Sequence, residues 1–115
     1  MVDDEEAVRR ALRRLLNSAG YEVDVYENGN DLLESLGKKR PACVVLDLHM
    51  PRIDGFAVLD ALLGQTPRVP VLVMTGHDSL DARKRVGVMG VAGYFRKPVD
   101  GQLLINAIQD AVVRG

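Results

Sequence analysis

Two apolar runs that do not alternate, "ACVVL" at 42–46 and "VPVLVM" at 69–74, constrain the fold of this chain more than any other feature. A strand with one wet face alternates apolar and polar residues, whereas a continuously apolar strand is covered on both faces, as in parallel sheets. These two runs therefore read as interior strands. "YEVDVY" at 21–26 behaves differently, with Val23 and Val25 on one face and Glu22 and Asp24 on the other, so it reads as a half-exposed edge strand. A last short strand, "GYF" at 93–95, precedes Arg96, Lys97 and Pro98.

Helical patterns separate the strands. Residues 5–19 space Val8, Leu12, Leu15, Leu16 and Ala19 as one apolar face, with Arg9, Arg10, Arg13 and Arg14 on the other side and Gly20 placed to close the helix. Further helices are predicted at 30–36, 55–63, 79–89 and 100–113, the last carrying Leu104, Ala107, Ile108, Ala111 and Val112 on one face. Alternating β and α units joined by right-handed crossovers make a doubly wound α/β fold, a parallel sheet of five strands with five helices on its two faces.

At 115 residues the chain is expected to form one domain, 1–115, with a core large enough to need neither disulfide nor structural metal. Fifteen basic against sixteen acidic residues, net charge −1, argue against nucleic acid or an anionic membrane as partner of this domain. No apolar stretch approaches the roughly 18 residues of a membrane span, and the start has no signal-peptide profile, so a cytoplasmic location is expected. The lone Cys43 lies in an apolar run and reads as a small buried hydrophobe in a reducing compartment.

In a doubly wound sheet the functional crevice lies beyond the carboxyl ends of the strands, so polar residues there are the candidates. They are Asp3 and Asp4 after Val2, Asp47 after Leu46, Thr75 after Met74, and Lys97 just after the last strand. Three carboxylates, a hydroxyl and an ammonium would meet in one small volume. Crowded carboxylates repel one another unless a cation joins them. Mg²⁺ suits such a site because it takes oxygen ligands and keeps waters that a phosphoryl group can displace. The cluster reads as a metal-assisted phosphoryl site.

Four segments carry a family resemblance: "VDDEE", "VVLDLHMPRIDG", "VLVMTG" and "GVAGYFRKP", in order and over essentially the whole chain. Together they resemble the receiver domains of bacterial two-component response regulators. The resemblance implies a flavodoxin-like fold with strand order 2-1-3-4-5. It also implies that Asp47 is the phosphoacceptor, taking a phosphoryl group from a sensor histidine kinase or a phosphotransfer protein and becoming an aspartyl phosphate. Asp4 and Asp47 would be direct Mg²⁺ ligands, Asp3 would act through water, and the backbone carbonyl of His49 would add an oxygen. Thr75 and Lys97 would hold phosphoryl oxygens, and the absent side chain of Gly76 would leave room beside Thr75. Thr75 and Tyr94 would form the switch, read out by the surface of the fourth helix, the last strand and the last helix. A homodimer through the fourth and fifth helices belongs to the same picture. His49 and His77 stand where relatives tune dephosphorylation.

Such a domain is a signalling switch that catalyses its own phosphorylation and dephosphorylation, and not an enzyme turning over a small substrate. One alternative is a pseudo-receiver, an interaction module of the same fold that is never phosphorylated; the complete acid, Thr and Lys set argues against it. A second is a haloacid-dehalogenase-like phosphohydrolase; such enzymes carry a second Asp two residues after the nucleophile as general acid, and His49 at that position argues against this reading.

Two local features depart from the family pattern. Only Met1 and Val2 stand before the acid pair where the family has about five apolar residues, so either further residues precede Met1 or the first strand is short and leaves neighbouring backbone groups unpaired; with Met1 as the true start, its ammonium is expected close to Asp3 and Asp4. Gly87 falls inside the fourth helix, where glycine costs about 1 kcal/mol relative to alanine. That helix is predicted to be the least stable of the five, with amide exchange faster than in the other four; equal protection would contradict this.

Overall fold

A computed structural model describes residues 1–50, 53–65 and 68–114. In chain order the elements are α1 (Glu6–Ser18), α2 (Gly29–Ser35), β1 (Val44–Asp47), β2 (His49–Met50), β3 (Ile53–Asp54), α3 (Gly55–Leu63), β4 (Val71–Thr75), α4 (Leu80–Met89), β5 (Gly93–Arg96) and α5 (Gly101–Arg114). All five predicted helices are present, each within about two residues of its expected bounds. β1, β4 and β5 form a parallel sheet in that order.

The sheet continues past β1 by single bridges. Val2 pairs in parallel with Leu46 on one side and Tyr26 on the other. A single row therefore crosses the molecule, Tyr26, Val2, Leu46, Val73 and Tyr94. Numbering the five predicted strands along the chain, that row has the order 2-1-3-4-5.

The first strand is indeed short: its pairing is complete only at the level of the acids, residues 21–25 beside it join no strand, and only the expected position of the Met1 ammonium is corrected. Val2 N–H donates to the Val45 carbonyl (2.8 Å) and Asp47 N–H to the Val2 carbonyl (2.9 Å), while Tyr26 N–H donates to Met1 (2.9 Å) and Asp3 N–H to Tyr26 (3.2 Å). Three residues thus carry four ladder bonds, and the centre of the sheet is satisfied at the level of the acids. The Met1 ammonium, in turn, points along the strand away from Asp3 and donates to the Asp24 carbonyl (2.9 Å). The predicted edge strand 21–26 joins the ladder only at Tyr26, opposite Val2. Its alternation survives as burial, with Val23 and Val25 half-buried and Glu22 and Asp24 exposed. A cavity of about 220 Å³ lies between Met1, Tyr21, Val23, Cys43 and Val45, where that pairing stops.

Burial explains why the interior runs do not alternate. Val44, Leu46, Leu48, Val71 and Val73 pack with Leu32, Val58, Leu59, Leu62 and Val86 of α2, α3 and α4. Val45, Leu72 and Met74 face the other way, onto Leu12, Leu16, Leu104 and Ile108 of α1 and α5. Each fully buried side chain of this size contributes roughly 1.5–3 kcal/mol. Ala19 is exposed just beyond α1, outside the apolar face assigned to it, and Gly20 follows with φ 94°, the left-handed conformation that lets the chain leave the helix.

After β1 the chain makes a small antiparallel hairpin, β2 with β3, that the sequence pattern did not announce. Pro51, a helix breaker after the acidic strand end and so an expected turn, lies outside the described residues. Gly55 is buried at the start of α3, and a Cβ there would overlap the Leu48 backbone carbonyl, so the "DG" pair serves a close approach of backbones.

Burial lowers the Met1 ammonium from about 8 to about 6, with the Asp24 charge opposing. The unfolded chain then binds more protons than the folded one between those values, so the stability of the chain starting at Met1 is expected to fall by up to about 3 kcal/mol as pH drops from 8 to 6. Urea titrations across that range check this, and acetylation of the amine should flatten the dependence.

Candidate functional site

The carboxyl ends of the strands bring the predicted residues together. Asp47 closes β1, Thr75 closes β4, Asp3 follows the bridging Val2, and Lys97 follows β5. Asp3, Asp47 and Thr75 are the buried polar residues among those described, at 0%, 1% and 0% exposure. Burial of this kind needs compensation, because an isolated carboxylate is costly to remove from water.

Lys97 supplies the compensation. Its ammonium donates to Asp47 Oδ2 (3.0 Å), lies 2.8 Å from Asp3 Oδ2, and reaches Glu5 Oε1 at 3.4 Å. Burial alone would lower the Lys97 pKa, but pairing with Asp3 and Asp47 outweighs it and raises it above the ordinary lysine range. The ion pair with Asp3 lies off the hydrogen-bonding directions, so Asp3 Oδ2 faces a positive charge yet carries no hydrogen bond. Its other oxygen, Oδ1, accepts from Glu5 N–H (2.9 Å).

Asp4 is exposed beside this pair, and one oxygen from each of Asp3, Asp4 and Asp47 falls within 4.8 Å of the others. An all-oxygen set of three carboxylates, one with a buried oxygen lacking a hydrogen bond, fits a hard divalent cation. His49 opens β2 two residues past Asp47; its ring lies outside the described side chains.

Thr75 Oγ1 accepts from His77 N–H (2.9 Å), and a side chain at the exposed Gly76 would meet nothing within 4 Å. Tyr94 is half-buried against the core around Val73 and Val86, and its hydroxyl donates to Asp78 Oδ1 (3.0 Å).

Several functional neighbours were missed in the sequence reading. Arg9, on the side of α1 opposite its apolar face, is half-buried and its Nη1 donates to the Asp3 carbonyl (2.8 Å). Arg10, Arg13 and Arg14 are exposed as expected. Glu5 and Asp78 were also overlooked. The clue for Arg9 was its helical spacing, which puts it one turn from the acidic start of α1.

The fold and this site define a receiver domain. Residues 1–109 match the family model of the response regulator receiver domain, and the chain belongs to that family, the phosphoacceptor switches of two-component signalling. It is 35% identical over 112 residues to the DNA-binding transcriptional regulator NtrC of Salmonella typhimurium, covering 97% of this chain and 24% of that one. With the response regulator MprA of Mycolicibacterium vanbaalenii it shares 40% identity over 98 residues, covering 85% of this chain and 42% of MprA. The chain thus spans less than half the length of these relatives. Among solved structures, the response regulator receiver protein from Burkholderia phymatum superposes with a TM-score of 0.85 at 37% identity, over 97% of this chain and 91% of that one. The pseudo-receiver alternative is not favoured. Among the described residues no helix is long and apolar enough to cross a membrane.

Removing the Lys97 ammonium would leave two buried carboxylates facing each other. Lys97→Ala is expected to destabilise the cation-free protein by about 3 to 5 kcal/mol in urea unfolding. Since pairing raises the Lys97 pKa, that contribution is fully present below the ordinary lysine range and is lost only as pH rises beyond it.

Proposed function

We propose that Asp47 is the residue phosphorylated, and that residues 1–115 form one receiver domain whose own side chains catalyse the transfer and its reversal. The observation that carries this reading is the convergence of Lys97 on Asp47 and Asp3 at the buried end of β1. An oxygen of the Asp47 carboxylate attacks the phosphorus of a phosphohistidine on a histidine kinase or phosphotransfer protein. The new P–O bond forms as the P–N bond breaks, and the departing imidazole takes up a proton.

Phosphoryl transfer asks the protein mainly for positioning and fixed charge. Lys97 already stands at Asp47 and would follow its oxygen to the phosphoryl group. Thr75, buried at the end of the adjacent strand, would exchange its bond from His77 for a phosphoryl oxygen. Asp4 and Asp47 would hold Mg²⁺ directly, Asp3 through water, and the His49 carbonyl would complete the protein's share. When bound, the ion supplies charge that offsets the carboxylates and polarises the phosphoryl group. Asp4 stands exposed with an oxygen within 4.8 Å of those of Asp3 and Asp47, where an arriving cation can reach it, whereas Asp3 is held by Glu5 N–H and Lys97.

Thr75 and Tyr94 would then carry the change to the face formed by α4, β5 and α5. Leu80 of α4 and Leu103 of α5 are exposed at 76% and 58%, which supports a protein partner or a homodimer through α4 and α5. The near-neutral net charge supports a domain that itself contacts neither nucleic acid nor membrane, and membership of the receiver family supports a cytoplasmic location.

Incubation with acetyl phosphate and Mg²⁺ is expected to add one phosphoryl group, about 80 Da, to the intact protein and none to Asp47→Asn. Omitting the cation should suppress the gain. No gain in wild type, or an equal gain in the Asn variant, would contradict the assignment.

A further inference from the structure

The loop between β4 and α4 holds an ion-pair cluster that the phosphorylation chemistry does not use. Asp78, with its side chain 17% exposed, accepts from Arg83 Nε at 2.7 Å (Oδ1) and from Arg83 Nη2 at 2.8 Å (Oδ2). It also accepts the Tyr94 hydroxyl at 3.0 Å, and Arg96 Nη1 stands 4.0 Å from its second oxygen. Arg83 Cζ lies 5.5 Å from the centre of the Tyr94 ring. Ring and hydroxyl are thus both engaged by the same Arg–carboxylate pair, whose two-point geometry is directional as well as attractive.

The cluster is tied to the site through the backbone. Thr75 Oγ1 holds His77 N–H at 2.9 Å, Asp78 comes next, and Ser79 caps α4 by accepting from Ala82 N–H at 3.0 Å. Asp78 therefore sits between the residue proposed to sense the phosphoryl group and the helix proposed to respond. When Thr75 leaves His77, the turn that presents Asp78 loses one of its anchors.

We propose that Asp78, braced by Arg83, is a latch that holds Tyr94 in its resting orientation and so sets how readily the switch follows modification of Asp47. Rotating Tyr94 requires giving up the hydroxyl bond to a charged carboxylate and the contact with the guanidinium. The resting state is favoured by that interaction, and a ligand that binds the switched state must work against it. Apparent affinity for such a ligand is reduced in proportion to the competent fraction, so releasing the latch raises it. Asp78 is a positioning residue, since it touches none of the reacting atoms. The inference rests on the phosphoacceptor reading of Asp47 and adds a regulator to it.

Two readouts test it in the full chain. With 3-fluorotyrosine incorporated, the ¹⁹F resonance of residue 94, assigned through Tyr94→Phe, reports ring environment with no phosphodonor present. Beryllium fluoride with Mg²⁺ serves as the phosphoryl mimic and its affinity is titrated. Asp78→Ala and Arg83→Ala are expected to move the residue 94 resonance, and Asp78→Ala to tighten beryllofluoride binding about fivefold. Asp78→Asn keeps the size and an acceptor for Tyr94 but loses the charge that Arg83 pairs with; it should shift both readouts the same way by less. A wild type that binds the mimic, with variants of unchanged affinity, overturns the latch alone, whether or not the resonance moves. A wild type that fails to bind the mimic overturns both the latch and the phosphoacceptor reading.

Discussion

The ammonium of Lys97 between Asp3 and Asp47 is the interaction on which the rest of this structure depends. Two carboxylates at the carboxyl end of a sheet, both out of water, would repel each other and pull the central backbone apart. One cation, just past the end of β5, joins them. It ties the first strand, β1 and β5 into one unit across β4. The arrangement is stable enough to exist and sufficiently unsatisfied to bind, since Asp3 keeps a buried oxygen with no hydrogen bond and Asp4 stands exposed beside it.

Much of the fold was legible because burial leaves a direct mark on composition. β1 and β4 are covered on both faces and are written as unbroken apolar runs, and the single row through Val2, Leu46 and Val73 follows from them. The strand at 21–26 was legible as a face but not as a ladder. Side-chain alternation records which way residues point, while pairing depends on how far the neighbouring strand extends. The same limit explains the Met1 ammonium, whose direction is decided by strand polarity and not by its sequence distance from Asp3.

At the site, residues at strand ends could be named from spacing alone because parallel strands deliver their last residues to one edge. Arg9, Glu5 and Asp78 could not. Each acts through a helix start or a loop, where one residue of shift changes the partner, and charged residues there are usually solvated. Asp78 and Arg83 are five residues apart, a spacing outside the usual helical pairs, so only the turn of the loop onto α4 brings them together.

We propose that the buried Asp47 at the end of β1 is the reactive acid and that Tyr94, one strand beyond Thr75, reads it out. The most direct test is chemical identification of the modified residue. Borohydride reduction of the phosphorylated chain, followed by peptide sequencing, should convert position 47 alone to homoserine, the product expected of an acyl phosphate. Homoserine at position 3, 4 or 54, or a phosphate that survives reduction on Thr75 or a histidine, would contradict the central claim.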